Sequence, residues 1–268
     1  MRIRSTAVMC LALVLLVNCT CLADINGISK YTQAPKMEGG YSFASMQQTD
    51  WGLVAADDWV CADGLPIIEL RWWGSYWTPP SPGNYIYYSD GLSNATPGTN
   101  GFLIGIFANA PADGNIPFDR PGTPIVAMNF GPDKFTESKI GEVNTPVPTD
   151  IYEYSVKLED GDPIHGPAGP FAQEQGKKYW LGILALMPPA DTDRQWGWRQ
   201  AEVVSGAFAV QATDPTNPTL WYYPCGGVDL AFELTVVPEP ASLVALMAGL
   251  TGLAGCIRRS RMRSASRK

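Results

Sequence analysis

The sequence predicts an all-β domain. Apolar and polar residues alternate over 151–158 and 228–236, which is the period of a half-buried strand. Connections rich in Pro, Gly and Asn separate such runs, in a chain with 23 prolines and 27 glycines. The region between the two ends has no convincing 3.6-residue period. These observations favour an antiparallel β-sandwich, jelly-roll-like in type, over a helical or α/β domain.

Eight stretches are candidate strands of this sandwich. The run at 179–186 is apolar on both of its faces, which is typical of a central strand covered from both sides. In order along the chain, the candidates are residues 51–55, 66–74, 102–109, 124–130, 151–158, 179–187, 207–212 and 228–236.

The N-terminus has the pattern of a secretory signal peptide. Positive charge in residues 1–4 precedes an apolar run at 7–17, and small residues follow where a signal peptidase cleaves. Residues 1–23 are therefore predicted to be removed by signal peptidase. A lipoprotein signal is an open alternative, because Cys19 and Cys21 follow the apolar run.

The C-terminus has the pattern of a short membrane span. Residues 241–257 carry no charge, and the tail at 258–268 is rich in arginine. Basic residues stay on the cytoplasmic side of a membrane, so this order predicts that residues 24–236 form a domain outside the cytoplasm.

A short motif stands directly before the predicted span: Val237, Pro238, Glu239 and Pro240. Motif, helix and basic tail at 237–268 together resemble the PEP-CTERM sorting signal of bacteria that build extracellular polysaccharide. The resemblance implies that an exosortase-type membrane protease removes the helix from an inner-membrane-anchored precursor, which then reaches the cell surface or the matrix. Without such a protease, the segment would be a single-pass anchor.

The predicted domain also resembles an uncharacterised domain of secreted proteins from planctomycete-like bacteria. That resemblance supports the predicted architecture of the domain and its occurrence in secreted proteins of such bacteria, and it implies no biochemical activity. Its landmarks are short aromatic-rich segments at 57–61, 66–76, 176–181, 196–198 and 229–234.

Charge limits the partners of the domain. All 26 acidic residues lie within residues 24–240, with 11 of the 19 basic ones, so this region has a net charge near −15. So acidic a surface argues against nucleic acid and anionic polymers as direct partners. It permits neutral glycans or divalent cations.

Tryptophan and tyrosine crowd into two segments and could stack on sugar rings. Trp72 and Trp73 are adjacent in a predicted strand and therefore point to opposite faces, so at least one of them belongs to the core. The segment at 196–198 could equally be an apolar plug at the end of the sandwich. The candidate glycan-stacking residues are Trp73, Tyr76, Trp77, Trp196 and Trp198.

Acidic pairs in loops are candidate ligands for a structural calcium ion, which takes oxygen ligands. Asp and Gly are also what a tight turn demands, so a turn is the alternative at 160–162. The weak candidates are Asp160, Asp162, Asp191 and Asp193. No other cofactor is expected.

Cys61 and Cys225 are the only cysteines between the predicted terminal segments. A disulfide between them would close a loop of more than 160 residues and stabilise the fold by about 4–5 kcal/mol on a chain-entropy estimate. Two buried thiols are the alternative.

Catalytic patterns are scarce. His165 is the only histidine, and neither a nucleophile elbow nor a phosphate-binding glycine motif is present. The sequence favours a non-enzymatic surface protein associated with extracellular polysaccharide. The alternatives are a carbohydrate-binding module that uses exposed Trp and Tyr and, less favoured, a glycoside-cleaving enzyme, which needs only two carboxylates.

Overall fold

The computed structural model describes residues 27–48, 51–89, 92–145, 147–189, 193–214, 220–222 and 227–236. Within these ranges the chain forms fifteen strands and one 3₁₀ turn, and no α-helix. The prediction of an all-β domain is therefore confirmed. No helix in the described part of the chain is long and apolar enough to cross a membrane, and the helix predicted at 241–257 lies outside that part.

The strands follow one another closely along the compact unit Ser29–Val236. The 3₁₀ turn, η1, spans Leu158–Asp160. In chain order the strands are β1 (Ile28–Gln33), β2 (Ser42–Ala44), β3 (Met46–Gln48), β4 (Trp51–Val60), β5 (Ile67–Trp77), β6 (Phe102–Ala110), β7 (Arg120–Phe130), β8 (Thr136–Thr145), β9 (Val147–Lys157), β10 (Asp162–His165), β11 (Lys178–Leu186), β12 (Gln195–Arg199), β13 (Val210–Ala212), β14 (Trp221–Tyr222) and β15 (Phe232–Val236).

Seven strands form sheet 1, and β5 lies at its centre. One edge of β5 pairs with β9, which in turn pairs with β8. The other edge pairs first with β15 and then with β12, and β1 and β2 complete the sheet. Strand β5 is thus hydrogen-bonded along both edges for most of its length.

Eight strands form sheet 2, in the order β10-β7-β6-β11-β3-β4-β13-β14. Strand β11 pairs with β6 along one edge and with β4 along the other. Beyond Ile183 it leaves β4 and runs parallel to β3. This parallel pair differs from the purely antiparallel prediction, because β3 and β4 form a hairpin whose two strands both lie beside β11.

A single large core contains buried side chains of both sheets. The apolar residues of the two alternating segments, 151–158 and 228–236, lie in it as predicted, from Tyr152 to Leu158 and from Leu230 to Val236. Strand β11 is buried on both faces, with Leu181 in the large core and Trp180 in a second cluster on the opposite face. The central-strand prediction is confirmed.

Several strands have no clear signal in the sequence. Strand β8 carries alternating but mostly polar residues, and all four residues of β10 are exposed, so neither has a strong apolar period. The segment at 196–198 was expected to be a loop or a plug but lies within β12, an inner strand of sheet 1. Its apolar and glycine residues give no alternation that marks a strand.

Two glycines allow the aromatic side chains of sheet 1 to pack closely. A Cβ atom at Gly197 would lie 2.5 Å from the Trp77 ring and 2.8 Å from the Phe43 carbonyl oxygen. A Cβ atom at Gly74 would lie 2.6 Å from the Trp196 ring. All three distances are shorter than real Cβ contacts, so the rings occupy space that is free only because these residues are glycine.

Gly197→Ala should therefore lower the free energy of unfolding by about 1–3 kcal/mol, the usual cost of overpacking a core. Urea denaturation measures this change. Gly114→Ala is the matched control, because nothing lies within 4 Å of its Cβ position, and it should change stability by less than about 0.5 kcal/mol. Equal denaturation midpoints for both variants would contradict this account of the packing.

Candidate functional site

A cleft of about 560 Å³ opens beside sheet 1. Glu69, Ser155 and Lys157 lie on the outer face of that sheet, opposite the neighbouring side chains that enter the large core. Side chains from β5, β8 and β9 form its floor, and the β7–β8 turn and η1 form its walls. Its lining residues are Glu69, Asp133, Lys134, Phe135, Thr136, Ser155, Val156, Lys157 and Asp160.

Strand pairing aligns the floor of the cleft. Glu69 lies opposite Lys157 on the neighbouring strand, and Ser155 lies opposite Thr136. The hydroxyls of Thr136 and Ser155 are 2.7 Å apart and share a hydrogen bond. Because successive side chains of a strand alternate between faces, the residues of the large core leave these polar groups on the outside.

The β7–β8 turn is fixed from two sides. The Phe135 ring packs edge-on against Phe102 of the core, with ring centroids 5.0 Å apart. Lys134 donates from Nζ to Asp162 Oδ1 at 2.6 Å. This wall of the cleft is therefore positioned by regular structure, which favours a preformed site.

The outer face continues beyond the cleft as a row of alternating charges. Arg71 lies between Glu153 and Glu233, at 3.7 and 3.8 Å, and it is the cross-strand neighbour of Ser155. Glu153 also accepts from Trp73 Nε1 at 3.2 Å. The cleft therefore opens onto a face of mixed charge.

The cleft presents both hydrogen-bond donors and hydrogen-bond acceptors to a ligand. Three carboxylates accept, two ammonium groups donate, two hydroxyls do both, and the half-buried Phe135 adds apolar surface. Such a set fits a ligand that has many hydroxyl groups. It contains neither a histidine nor a cysteine.

Part of this cleft follows from the sequence. Period-two alternation in 66–74 places Glu69 and Arg71 on the face opposite Trp72, and the predicted strand 151–158 contains the three lining residues at 155–157. Thr136 lies on β8, which was not predicted, and the lining residues at 133–135 lie in a turn whose position depends on packing against Phe102.

Residues 29–235 match the family model described as a domain of unknown function, DUF7901. The chain belongs to the DUF7901 family. A search of curated proteins gave no match. The family match covers every strand from β2 to β14 and all lining residues of the cleft.

The five candidate stacking residues lie inside the DUF7901 domain. Trp73 is 5% exposed and the other four are 0% exposed, so none of their rings offers a face to a sugar. The prediction that they stack on glycan is wrong for that reason. The residues concerned are Trp73, Tyr76, Trp77, Trp196 and Trp198.

Each of these buried rings has its polar atom hydrogen-bonded within the domain. Besides the Trp73 contact, the indole N–H groups of Trp77, Trp196 and Trp198 donate to Gln195 Oε1, the Tyr154 hydroxyl and the Ala231 carbonyl. The Tyr76 hydroxyl donates to Glu137 at 2.8 Å, and burial together with that carboxylate raises the pKa of Tyr76. Satisfied polar atoms are what a core position requires.

The candidate calcium ligands lie only in part within the described residues. Asp160 lines the cleft, Asp162 forms an ion pair with Lys134, and Asp191 lies outside the described residues. Asp193 precedes β12. In the part of the chain that the structure describes, no three acidic, histidine or cysteine residues form a group that could hold a metal ion.

Cys61 is buried beside the N-terminal strand. Its Sγ accepts from Gly64 N at 3.2 Å and from Lys30 Nζ at 3.6 Å. Cys225 lies outside the described residues, so the disulfide stays a prediction. His165 is exposed on β10, an edge strand of sheet 2.

Trp77→Ala should lower the free energy of unfolding by about 3–5 kcal/mol, since the indole is fully buried. Chemical denaturation followed by circular dichroism measures the loss. Tyr87→Ala is the comparison, because Tyr87 is 48% exposed. A Trp77→Ala variant that kept the stability of the wild type while losing glycan binding would restore the stacking role.

Proposed function

We propose that this protein is an exported, non-enzymatic surface protein, built as a jelly-roll-like β-sandwich, that associates with extracellular polysaccharide through the cleft beside sheet 1. The observation that carries the proposal is the set of groups around the cleft. Carboxylates, ammonium groups and hydroxyls converge there on a volume of about 560 Å³ beside a half-buried ring.

A sugar suits this mixture better than other ligands of the same size. Each sugar hydroxyl both donates and accepts, so carboxylates such as Glu69 and ammonium groups such as Lys157 can be paired at once. The Phe135 ring supplies apolar surface for the C–H groups of a pyranose. The volume lies within the range of small-molecule sites, about 300–1,000 Å³.

Charge favours a neutral glycan. The region of residues 24–240 has a net charge near −15, which repels anionic polymers at long range. The cleft contributes three carboxylates against two ammonium groups. A polysaccharide rich in uronic acid or sulfate would be repelled by the net charge of the domain at long range and by the carboxylates of the cleft at short range.

The proposal includes export and sorting by the ends of the chain. The signal peptide at 1–23 and the sorting segment at 237–268 lie outside the described residues. The last strand of sheet 1 ends at Val236, directly before the motif. Proteolysis at the motif by an exosortase-type enzyme would therefore leave all the described strands in the released domain.

Glycan binding can be tested on residues 24–240 with neutral and acidic oligosaccharides cut from the producer's own matrix, by isothermal titration with and without calcium. Glu69→Gln and Lys157→Gln should each raise the Kd for the neutral oligosaccharide about tenfold. A hydrogen bond to a charged group contributes about 1.5–3 kcal/mol.

The matched control is Glu142→Gln, an exposed position of β8 that does not line the cleft, and its Kd should equal that of the wild type. Binding that neither cleft variant weakens would place the glycan elsewhere. The absence of binding would favour a structural domain with a protein partner. Release of new reducing ends would indicate a glycosidase instead.

Intact-mass analysis of the protein isolated from cells tests the sorting part. The mass should lack residues 1–23 and most of 241–268, because signal peptidase and the sorting protease remove them. Pro238→Ala with Pro240→Ala should leave the full C-terminus attached. Mature wild-type protein that still carries residues 241–268, in cells with an active sorting protease, would contradict the proposal.

A further inference from the structure

Three buried aspartates meet where the two sheets approach the connection between β12 and β13. Asp57 and Asp58 are neighbours on β4 of sheet 2, and Asp229 lies just before β15 of sheet 1. Their exposed fractions are 0%, 0% and 1%. Ionised carboxylates are costly at such positions unless cations or hydrogen bonds compensate them.

Asp57 connects the two sheets. Its Oδ2 accepts from the backbone N–H of Leu230 at 2.6 Å, and its Oδ1 accepts from that of Asp58 at 2.8 Å. Gln33 of β1, in the amide orientation that satisfies its neighbours, donates to Asp57 Oδ2 at 3.2 Å and accepts from the Tyr31 hydroxyl at 2.6 Å.

The other two carboxylates hold the loop at 201–209. Asp229 Oδ2 accepts from the backbone N–H of Ser205, and Asp58 Oδ1 accepts from that of Ala207 at 2.9 Å. Gly206 lies between them with a φ of +100°, and a Cβ atom there would lie 2.9 Å from Asp58 Oδ1. The loop backbone is therefore pressed against the carboxylates.

Both ends of this loop are also fixed to the segment that contains Asp229. Ala201 N donates to the Asp229 carbonyl at 2.7 Å, and Ala209 N donates to the Val228 carbonyl at 2.8 Å. Between these ends, residues 202–206 and Phe208 are exposed. The loop is thus a solvent-facing cover whose middle is held by Asp58 and Asp229.

Cations compensate only one of the three carboxylates. Lys178 Nζ lies 3.3 Å from Asp58 Oδ2 and 2.8 Å from Asp119 Oδ2. Among the residues that the structure describes, neither Asp57 nor Asp229 forms an ion pair, and Asp229 Oδ1 is buried without a hydrogen-bond partner.

Asp57 and Asp229 form a pair of buried carboxyl groups that other polar groups surround. Tyr31 and Gln33 face the pair from β1, Asp58 from β4 and Ser205 from the loop. Lys178 and Asp119 lie beyond Asp58. Burial, and after it the charge of Asp229, raises the pKa of Asp57 well above its ordinary value. Burial raises the pKa of Asp229 to about 7, against the opposing effect of the Ser205 hydrogen bond.

We propose that the buried carboxyl groups of Asp57 and Asp229 together retain one proton in the folded domain, and that loss of this proton releases the loop at 201–209 from the sandwich. When both groups are ionised, two uncompensated charges lie in the same buried space. Opening of the loop brings water to Asp229 and relieves their repulsion. The buried pair is then a latch that responds to the pH outside the cell.

The direction of the pH dependence follows from the raised pKa values. Between pH 4 and pH 7 the closed domain binds a proton that the opened or unfolded chain has lost. The stabilisation by this proton is complete below about pH 4 and is lost as the pH rises through about 7. For one proton, the ratio of closed to open loop should fall about tenfold per pH unit in that window.

Hydrogen–deuterium exchange of the peptide that contains residues 201–209, measured from pH 5 to pH 8 and corrected for intrinsic exchange, tests the proposal. Protection in the wild type should fall by tenfold or more across this range. Asp229→Asn and Asp57→Asn should each flatten the profile, because an amide has no proton to lose. The control Asp113→Asn changes an exposed aspartate that does not line the cleft and should follow the wild type.

Protection that is independent of pH in the wild type, or an unchanged profile in Asp229→Asn, would overturn the proposal. If the variants fail to fold, carbon-13 NMR of the wild-type Asp carboxyl groups decides. A buried carboxyl that titrates near pH 7 or above supports the retained proton, and titration of every aspartate below pH 5 overturns it.

Discussion

An aromatic cluster centred on Phe102 joins the two sheets, and the packing of the core is built around it. Phe102, at the start of β6 in sheet 2, inserts among Trp72, Tyr154 and Trp196 of sheet 1, with ring centroids 4.9, 5.1 and 5.2 Å apart. All four side chains are fully buried. Aromatic rings supply large buried areas and prefer such edge-to-face arrangements, so this contact sets how closely the sheets approach. The same Phe102 ring packs against Phe135 and thereby positions a wall of the cleft.

A core so rich in tryptophan and tyrosine must also satisfy many polar atoms. Side-chain and backbone partners within the sandwich accept from many ring N–H and O–H groups, as the pairs Trp196–Tyr154 and Trp77–Gln195 show, whereas Trp72 Nε1 is buried without a partner. The buried carboxylates of Asp57 and Asp229 are costlier, because hydrogen bonds reach them but no cation of the described residues pairs with them. Buried charges of this kind are weak evidence for stability, and groups with perturbed pKa values often mark functional sites.

The proposed cleft and the proposed latch use different parts of the same scaffold. The cleft takes its floor from paired strands of sheet 1, where side chains alternate outward from a rigid backbone. The latch lies where sheet 2 meets the segment before β15, and its loop carries no regular structure of its own. In the proposed location outside the cell no cytoplasm buffers the pH, so a loop controlled by a buried proton would follow the pH of its surroundings. The rigid cleft would keep its shape meanwhile.

The sequence by itself determined the fold class and the core strands. Alternation at 151–158 and 228–236, and the doubly apolar run at 179–186, identify β9, β15 and β11, because a period of two is a property of neighbouring residues. Edge strands such as β8 were missed, since polar residues on their outer positions weaken that period. Only the tertiary structure decided which aromatic rings are covered. Trp73 is buried by residues from distant parts of the chain, namely Met37, Val143 and Ala201. A local sequence pattern cannot predict burial by such distant residues. The cleft and the aspartate pair likewise join residues that are about 90 to 170 positions apart. Strand pairing within sheet 1 assembles the floor of the cleft, and the packing of the two sheets brings the two aspartates together.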